Sequence, residues 1–254
     1  MARFDLSDAE WALIKPLLPD KPRGVARVND RRVLNGIFYV LRTGSPWRDL
    51  PERFGPYTTV YNRFNRWAKA GVWVQVFETL AAKSPHSMAF IDSSIIRAHQ
   101  HAAGRKKGGQ DHAIGRSRGG LSTKINALVD ENGLPVRLVL TAGQDHDLRA
   151  APLLLAGLKC RHVVADRGYD ANALLDLIRA SGAKAHIPST SQRLVHRSVD
   201  RRIYRQRNLV ERFFCKLKHF RRIATRFDKL ARNFLAAVAL ASTRLWTRAY
   251  ESTT

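Results

Sequence analysis

Two short apolar runs each end on an aspartate: Ala89-Phe90-Ile91-Asp92 and Val163-Val164-Ala165-Asp166. Runs this short, rich in branched and aromatic side chains, suit buried strands. A carboxylate at the tip of such a strand is costly unless it is paired or bound to metal. Taken singly, either aspartate reads best as an ordinary strand-end or loop acid. Taken together, two acids at matched strand ends favour a shared cation: side-by-side strands would bring like charges together, and a divalent ion removes the repulsion. Hard oxygen donors suit Mg²⁺, which keeps waters and completes its shell with substrate phosphate.

The segments around these runs give an α/β order. MAFIDSSIIRA reads as one strand. RSRGGLSTKINALVDENGLPVRLVLTAG reads as a hairpin turning at Asp-Glu-Asn-Gly. LRAAPLLLAGL is a helix, HVVADRGYD a short strand running into a loop, ANALLDLIRASG a helix stopped by Gly182, and AKAHIPST a last strand. Residues 200–223 and 228–248 read as two long helices. GRKKGGQDHAIGRSRGG, 104–120, is glycine-rich and basic and reads as a mobile or disordered loop.

Before Ser84-Pro85 the pattern is all-helical. Ser7 and Glu10 form a capping-box pair ahead of Trp11, Leu13 and Ile14, and Pro16 should shorten that helix. Asp30 is placed to cap RRVLNGIFYVLRTG. A short helix at Pro51–Phe54, a turn at Gly55-Pro56 and a helix from Thr58 or Thr59 to Gly71 follow. In that last helix Tyr61, Phe64 and Trp67 have core-like spacing, with Arg63, Arg66 and Lys69 on other faces. A short helix, a tight turn and a basic helix suggest a helix-turn-helix reader; a helical cap with solvated cations has the same pattern. The division expected is therefore 1–84, helical and DNA-binding, and 85–254, catalytic.

Charge favours a polyanionic partner. The 254 residues carry 44 Lys and Arg against 21 Asp and Glu, a formal +23, and residues 190–254 hold 16 basic against 4 acidic side chains. Nucleic acid comes first among partners, an acidic membrane second. No apolar stretch is long enough to span a bilayer, and the polar N-terminus does not read as a signal peptide; the expectation is a cytoplasmic, nucleoid-associated protein without membrane contact. Cys160 and Cys215 lack metal-ligand spacing and read as reduced.

In that basic tail one acid stands out. Tyr204, Arg207, Glu211 and Lys218 follow at i, i+3, i+7 and i+14, within an arc of roughly 60° on a continuous helix, and Arg222 extends the stripe. A solvated ion-pair ladder is the plain reading; a lone carboxylate among many cations fits a phosphate-bearing substrate over a metal better. In a two-ion scheme, with ions about 3.5–4 Å apart, Asp92 would bridge them while Asp166 and Glu211 each hold one. Weaker candidates are His99 and His101, whose zinc ligation lacks further ligands, and Gln144-Asp145-His146-Asp147, which suits capping or support of the site better than acid–base catalysis.

These strings, in order, resemble a family. LSDAEWALIKPLLP, NGIFYVLRTGSPWRDLPERFGP, TVYNRFNRWAKAGVW, IDSSIIRAHQHAAG, GRSRGGLSTKINALVD, TAGQDHD, ADRGYD and LVERFFCKLKHFRRIATRFDKLARNFLA make the chain similar to bacterial insertion-sequence transposases with a DDE active site, of the insertion-sequence-5 group. The resemblance implies a ribonuclease-H-like catalytic domain, a mixed sheet flanked by helices, behind the helical N-terminal domain. It implies Asp92, Asp166 and Glu211 as catalytic metal ligands for two Mg²⁺, with Mn²⁺ as a substitute. It also implies DNA contacts from the signature Tyr204, Arg207 and Lys218; Arg222, Arg97, Arg63 and Arg66 are counted with them. Arg167 stands where the family often has lysine. Only about twenty residues separate the last strand from the Glu211 helix, so the large β insertion of some relatives, with its hairpin intermediate, is not expected.

The activity implied is binding of the element's terminal inverted repeats, cleavage of its ends and joining of their 3′ ends to target DNA, by a homodimer or higher oligomer. A stand-alone nuclease of the same fold and a non-catalytic DNA-binding repressor or remnant are the rivals.

Overall fold

A computed structural model describes residues 4–20, 27–84, 87–102 and 112–252. In chain order the elements are α1 (Asp8–Ile14), α2 (Asp30–Thr43), α3 (Tyr57–Lys69), α4 (Val72–Ala81), β1 (Met88–Ala98), β2 (Gly115–Ser117), β3 (Gly120–Val129), β4 (Pro135–Ala142), α5 (Ala151–Leu155), β5 (His162–Val164), α6 (Asn172–Ala180), β6 (Lys184–His186), α7 (Arg201–Arg205), α8 (Asn208–Lys218), α9 (Arg221–Ala224) and α10 (Ala231–Glu251). They gather into two compact units. One holds the described residues of 1–80, 99–111 and 217–254; the other holds 81–98 and 112–216. These units regroup the chain relative to a cut at 84/85, because the C-terminal helices join the N-terminal ones.

The first unit is all-helical. Ser7 Oγ accepts from Glu10 N at 3.0 Å and Glu10 Oε2 accepts from Ser7 N at 2.8 Å, the expected reciprocal cap. Helix α1 ends at Ile14 and tightens into a 3-10 turn holding Pro16. Asn29, rather than Asp30, caps α2 by accepting from Arg32 N, and Gly44, at φ 77°, ends it in the left-handed conformation that glycine adopts at least cost. Val33, Leu34, Ile37, Phe38, Val40 and Leu41 form its buried stripe. Helix α2 packs on α3 and α9, while α10 packs on α1, α2 and α3. The run of buried Ala236, Ala237, Ala239 and Ala241 lets neighbouring helices come close to α10.

Helix α3 turns a different face inward from the one expected. Val60, Arg63, Phe64 and Ala68 are buried while Tyr61 is exposed. Arg63 falls inside the apolar stripe because Asp30 of α2 meets its guanidinium in an ion pair, and it stacks over Trp67. It is therefore not a surface cation, whereas Arg66 is exposed. The segment ahead of α3 forms only single 3-10 turns, Trp47–Asp49 and Glu52–Phe54, so the first helix of the expected helix-turn-helix is one tight turn long.

The second unit is built on a mixed sheet. The order runs β4-β3-β1-β5-β6, with β2 beside the start of β3. β1 is antiparallel to β3, and β3 to β4; β1, β5 and β6 are mutually parallel, as strands joined by crossover helices must be. This is the ribonuclease-H-like arrangement that the resemblance implied. Asp130 shapes the β3–β4 turn: its Oδ1 accepts from Asn132 N and Leu134 N, both at 2.9 Å, and Gly133 takes φ 71°. Of the glycine-rich stretch, 104–111 lies outside the described residues, and Gly115–Val129 forms a β2–β3 hairpin rather than a loop. On one face Ile91, Leu128 and Val163 pack with Leu154 of α5 and Leu174, Leu175 and Ile178 of α6. The tail is more broken than two long helices: Gln206 and Arg207 form a turn between α7 and α8, and the chain breaks again before α9.

Glu10 ties the two ends of the chain together. While Oε2 caps α1, its Oε1 lies 2.6 Å from Arg244 Nε of α10, and both side chains are buried. Removing one partner of a buried pair leaves the other charge stranded. Glu10→Ala is expected to lower the unfolding free energy by about 3–5 kcal/mol, read from the urea midpoint. A change below about 0.5 kcal/mol, typical of a surface substitution, would show that the pair adds nothing net.

Candidate active site

The register of two strands builds the site. Met88, Ala89 and Phe90 of β1 pair in parallel with His162, Val163 and Val164 of β5. Continuing that register by two residues sets Asp92 beside Asp166. Asp166 lies just past the end of β5, as expected. Asp92 does not end its strand: β1 runs on to Ala98 because β3 pairs with it as far as Arg97↔Ser122. Side chains alternate along a strand, so Asp92 lies on the face opposite Ile91 and its core.

Each carboxylate is oriented by backbone. Asp92 Oδ1 accepts from Ser93 N at 2.7 Å. Asp166 Oδ1 accepts from Gly168 N at 2.8 Å and so caps the turn Arg167–Tyr169. A Cβ on Gly168 would sit 3.0 Å from that oxygen, so a side chain there would crowd the Asp166 carboxylate. Asp170 anchors the far end of the loop: Thr190 N and Arg193 Nε donate to its Oδ2, at 2.8 and 2.7 Å, and Arg197 donates to its Oδ1. Burial alone would raise its pKa, but these donors outweigh burial and hold it well below the usual carboxylate range.

Arg207 gathers the third acid. Its guanidinium donates to Asp92 Oδ2 at 3.4 Å and also to Glu211 Oε1, in the first turn of α8. Burial opposes its charge, but Glu211, Tyr204 and Asp92 prevail and raise its pKa. Tyr204, Arg207, Asp92 and Glu211 thus share one neighbourhood despite the helix break. Lys218 is the last residue of α8 and, with Arg222 on α9, belongs to the other compact unit. Arg222 does not continue the Glu211 stripe, since α8 ends before it, and it is buried between Trp47 and Phe227. Arg97 is exposed near the end of β1.

Three further residues belong to this neighbourhood. Asp147 acts electrostatically on Asp92 and on Tyr169. Lys124 Nζ bridges Asp147 Oδ1 at 2.6 Å and the Asp145 carbonyl at 2.7 Å; its sequence signal is a lysine inside the buried strand KINALV. Tyr169 is 1 % exposed, with no hydrogen-bond partner for its hydroxyl, and burial followed by Asp147, Asp92 and Asp166 raises its pKa. Asp145, for its part, closes the turn after β4, accepting from Ala142 N. His146 Nδ1 caps the next turn, accepting from Leu148 N.

The donor chemistry fits a hard divalent cation. Burial, then the like charge of Asp166, push the Asp92 carboxyl from its ordinary 3.8 up to about 6, against the opposing Ser93 N–H and Arg207. A bound cation would relieve that cost. Asp92 and Asp166 are the residues that could hold one, while Glu211 is engaged by Arg207. Among the described residues no three His, Cys, Asp or Glu side chains converge as one ligand set as they stand, and His99 and His101, whose rings lie 4.6 Å apart, have no third ligand. Among the same residues no helix is long and apolar enough to cross a membrane.

Residues 6–77 match the family described as "Putative transposase of IS4/5 family", and residues 83–246 match the family described as "Transposase DDE domain". The chain is 41% identical over 130 residues to the "Putative transposase for insertion sequence element IS6501" of Brucella ovis, covering 50% of this chain and 100% of that one. It is 43% identical over 122 residues to an uncharacterized 16.2 kDa protein of insertion element IS402 from Burkholderia cepacia, covering 42% and 82%. It is 41% identical over 109 residues to the uncharacterized protein y4sN of Sinorhizobium fredii, covering 41% and 87%.

The raised Asp92 carboxyl has a stability consequence. A carboxyl that binds its proton more tightly when folded stabilises the fold at low pH, and the contribution is lost as pH rises through about 4 to about 6. Without divalent ions, Asp92→Asn should therefore be more stable than the unmutated protein above about pH 6, on the order of 2 kcal/mol, and equal to it below about pH 4. Thermal melts across pH in a chelator check this. Equal stability at pH 8 would mean that Arg207 already neutralises the charge.

Proposed function

The chain belongs to the DDE transposases of bacterial insertion sequences, and from that premise we propose that it binds the terminal inverted repeats of its element, cuts the element ends and joins their 3′ ends to target DNA. That it is a DNA-binding, DNA-processing transposase follows from the family; the individual steps and residue roles are our reading. The observation supporting them most directly is the strand register that sets Asp92 beside Asp166, with Arg207 bridging Asp92 to Glu211.

In this reading Asp92, Asp166 and Glu211 would hold two Mg²⁺ or Mn²⁺. Bound there, the ions would supply Lewis-acid polarisation of a phosphodiester and lower the pKa of a bound water. The chain's own groups do the rest. Arg207 exchanges its carboxylate partners for substrate phosphate, which releases Glu211. Tyr204 contacts the DNA strand, and Lys218, Arg97 and Arg66 each add a DNA contact. Water first attacks a phosphodiester at the element end, freeing a 3′ hydroxyl. That hydroxyl then attacks a target phosphodiester and expels the target strand's own 3′ oxygen, so the same three carboxylates serve both displacements. The protein works as a dimer or higher oligomer on paired ends, in the cytoplasm on nucleoid DNA.

A joining assay tests this. Labelled duplexes carrying the sequence beside the gene would be mixed with a supercoiled target, Mg²⁺ and protein. Label should enter the target, and Asp92→Asn, Asp166→Asn and Glu211→Gln should each reduce joining on the order of a thousandfold or more while leaving duplex binding intact. Nicking without joining would favour a nuclease. Joining that survives Asp92→Asn would overturn the assignment.

A further inference from the structure

Within the helical unit lies a cleft of about 770 Å³, inside the ~300–1,000 Å³ range of small-molecule sites. The catalytic reading does not use it. Its walls are aromatic. Trp47 and Tyr61 meet edge to face at 5.5 Å, and His99 lies 4.8 Å from Phe227. Tyr57 and Tyr61, at 37 % and 41 % exposed, stand among the few large apolar side chains that the described residues present to solvent.

Arg222 gives the cleft its character. The residue is 9 % exposed, and its guanidinium lies over Trp47 at 5.5 Å and over Phe227 at 5.4 Å. It lines the cleft, and no hydrogen bond or ion-pair contact engages it among the described residues. The nearby acid Asp228 is half-buried and feels its charge, but desolvation of its carboxyl, outweighing Arg222 and Arg226, shifts it toward the neutral form. A planar guanidinium fixed by two rings keeps its N–H fork for a ligand. Exposed Arg48 adds a second cation at the cleft, and exposed Asn62 an amide able to donate and accept.

We propose that this cleft receives a single unstacked nucleotide of DNA: the base against Trp47, Tyr57 and Tyr61, its edge read by Asn62, and the flanking phosphate held by Arg222 and Arg48. Aromatic faces with adjoining arginines are the general solution for holding unstacked bases. A purely apolar partner would leave two guanidinium groups unmatched, and a chain of net charge +23 selects a polyanion. The inference rests on the DNA-binding reading but needs none of the catalytic residues.

The test compares the full-length protein's affinity for a short oligothymidylate with that for an abasic oligomer of equal length and charge. The oligothymidylate should bind about five- to a hundredfold more tightly, the worth of one stacked base. Tyr61→Ala and Tyr57→Ala together should erase that preference while leaving abasic binding unchanged; Tyr61→Phe should keep it. Asp92→Asn should also keep it, so a failure of the joining assay would leave this result standing. Because both tyrosines are exposed, thermal melts should confirm that the variants fold. Equal affinity for the two oligomers, or a preference that survives the double alanine variant, would overturn the proposal. Equal affinity together with a change in oligomeric state in that variant would assign the cleft to a second copy of the chain.

Discussion

Placing Asp92 next to Asp166 costs free energy, and the second compact unit is arranged around that cost. The parallel register of β1 and β5, continued past Phe90 and Val164, directs the two carboxylates toward one another, and burial denies Asp92 full hydration. The protein answers with fixed donors. Ser93 N–H and Arg207 serve Asp92; Gly168 N–H serves Asp166. These donors moderate the cost without abolishing it: burial first, and then Asp166, keep the Asp92 carboxyl raised. A site that is uncomfortable when empty of cations gains more from acquiring them.

Arg207 occupies a double position in that arrangement. By bridging Asp92 and Glu211 it supplies positive charge to both acids, and its partners are the groups that the proposed function assigns to a cation. Asp170 complements it from the other side. With three donors on one buried carboxylate, it clamps the Asp166 loop to the 188–200 segment that leads into α7 and α8. The strand-borne acids and the helix-borne acid therefore derive from elements already fastened together before substrate arrives.

Much of this was legible in the sequence because local patterning is strong there. Apolar runs marked β1, β5 and β6, the Asp-Glu-Asn-Gly turn marked the hairpin, and Gly182 marked the end of α6. What local patterning could not carry was partnership over distance. Arg63 looked like a surface cation because its partner Asp30 lies on another helix. Arg222 looked like the next step of a helical stripe because periodicity does not reveal that α8 stops at Lys218. Asp92 looked terminal because the run of apolar residues ends there, whereas the hydrogen-bond ladder with β3 does not. Lys124 carried a signal, a cation within a buried strand, but its meaning depended on the fold of the Asp145–Asp147 turn.

The ion pair of Glu10 with Arg244 has a consequence for how the molecule is made. The helical unit is assembled from segments far apart in the chain: Arg31 of α2 already reaches Asp8 and the Leu6 carbonyl, but α1 lacks its packing against α10 until that helix has been synthesised. At about 5–20 residues per second, that part of the first helix's packing waits for the last helix to leave the ribosome. A polypeptide released early, by a stop codon or a broken message, keeps its sheet-forming middle but lacks the piece that closes its beginning. Arrival of α10 is thereby written into the packing of α1.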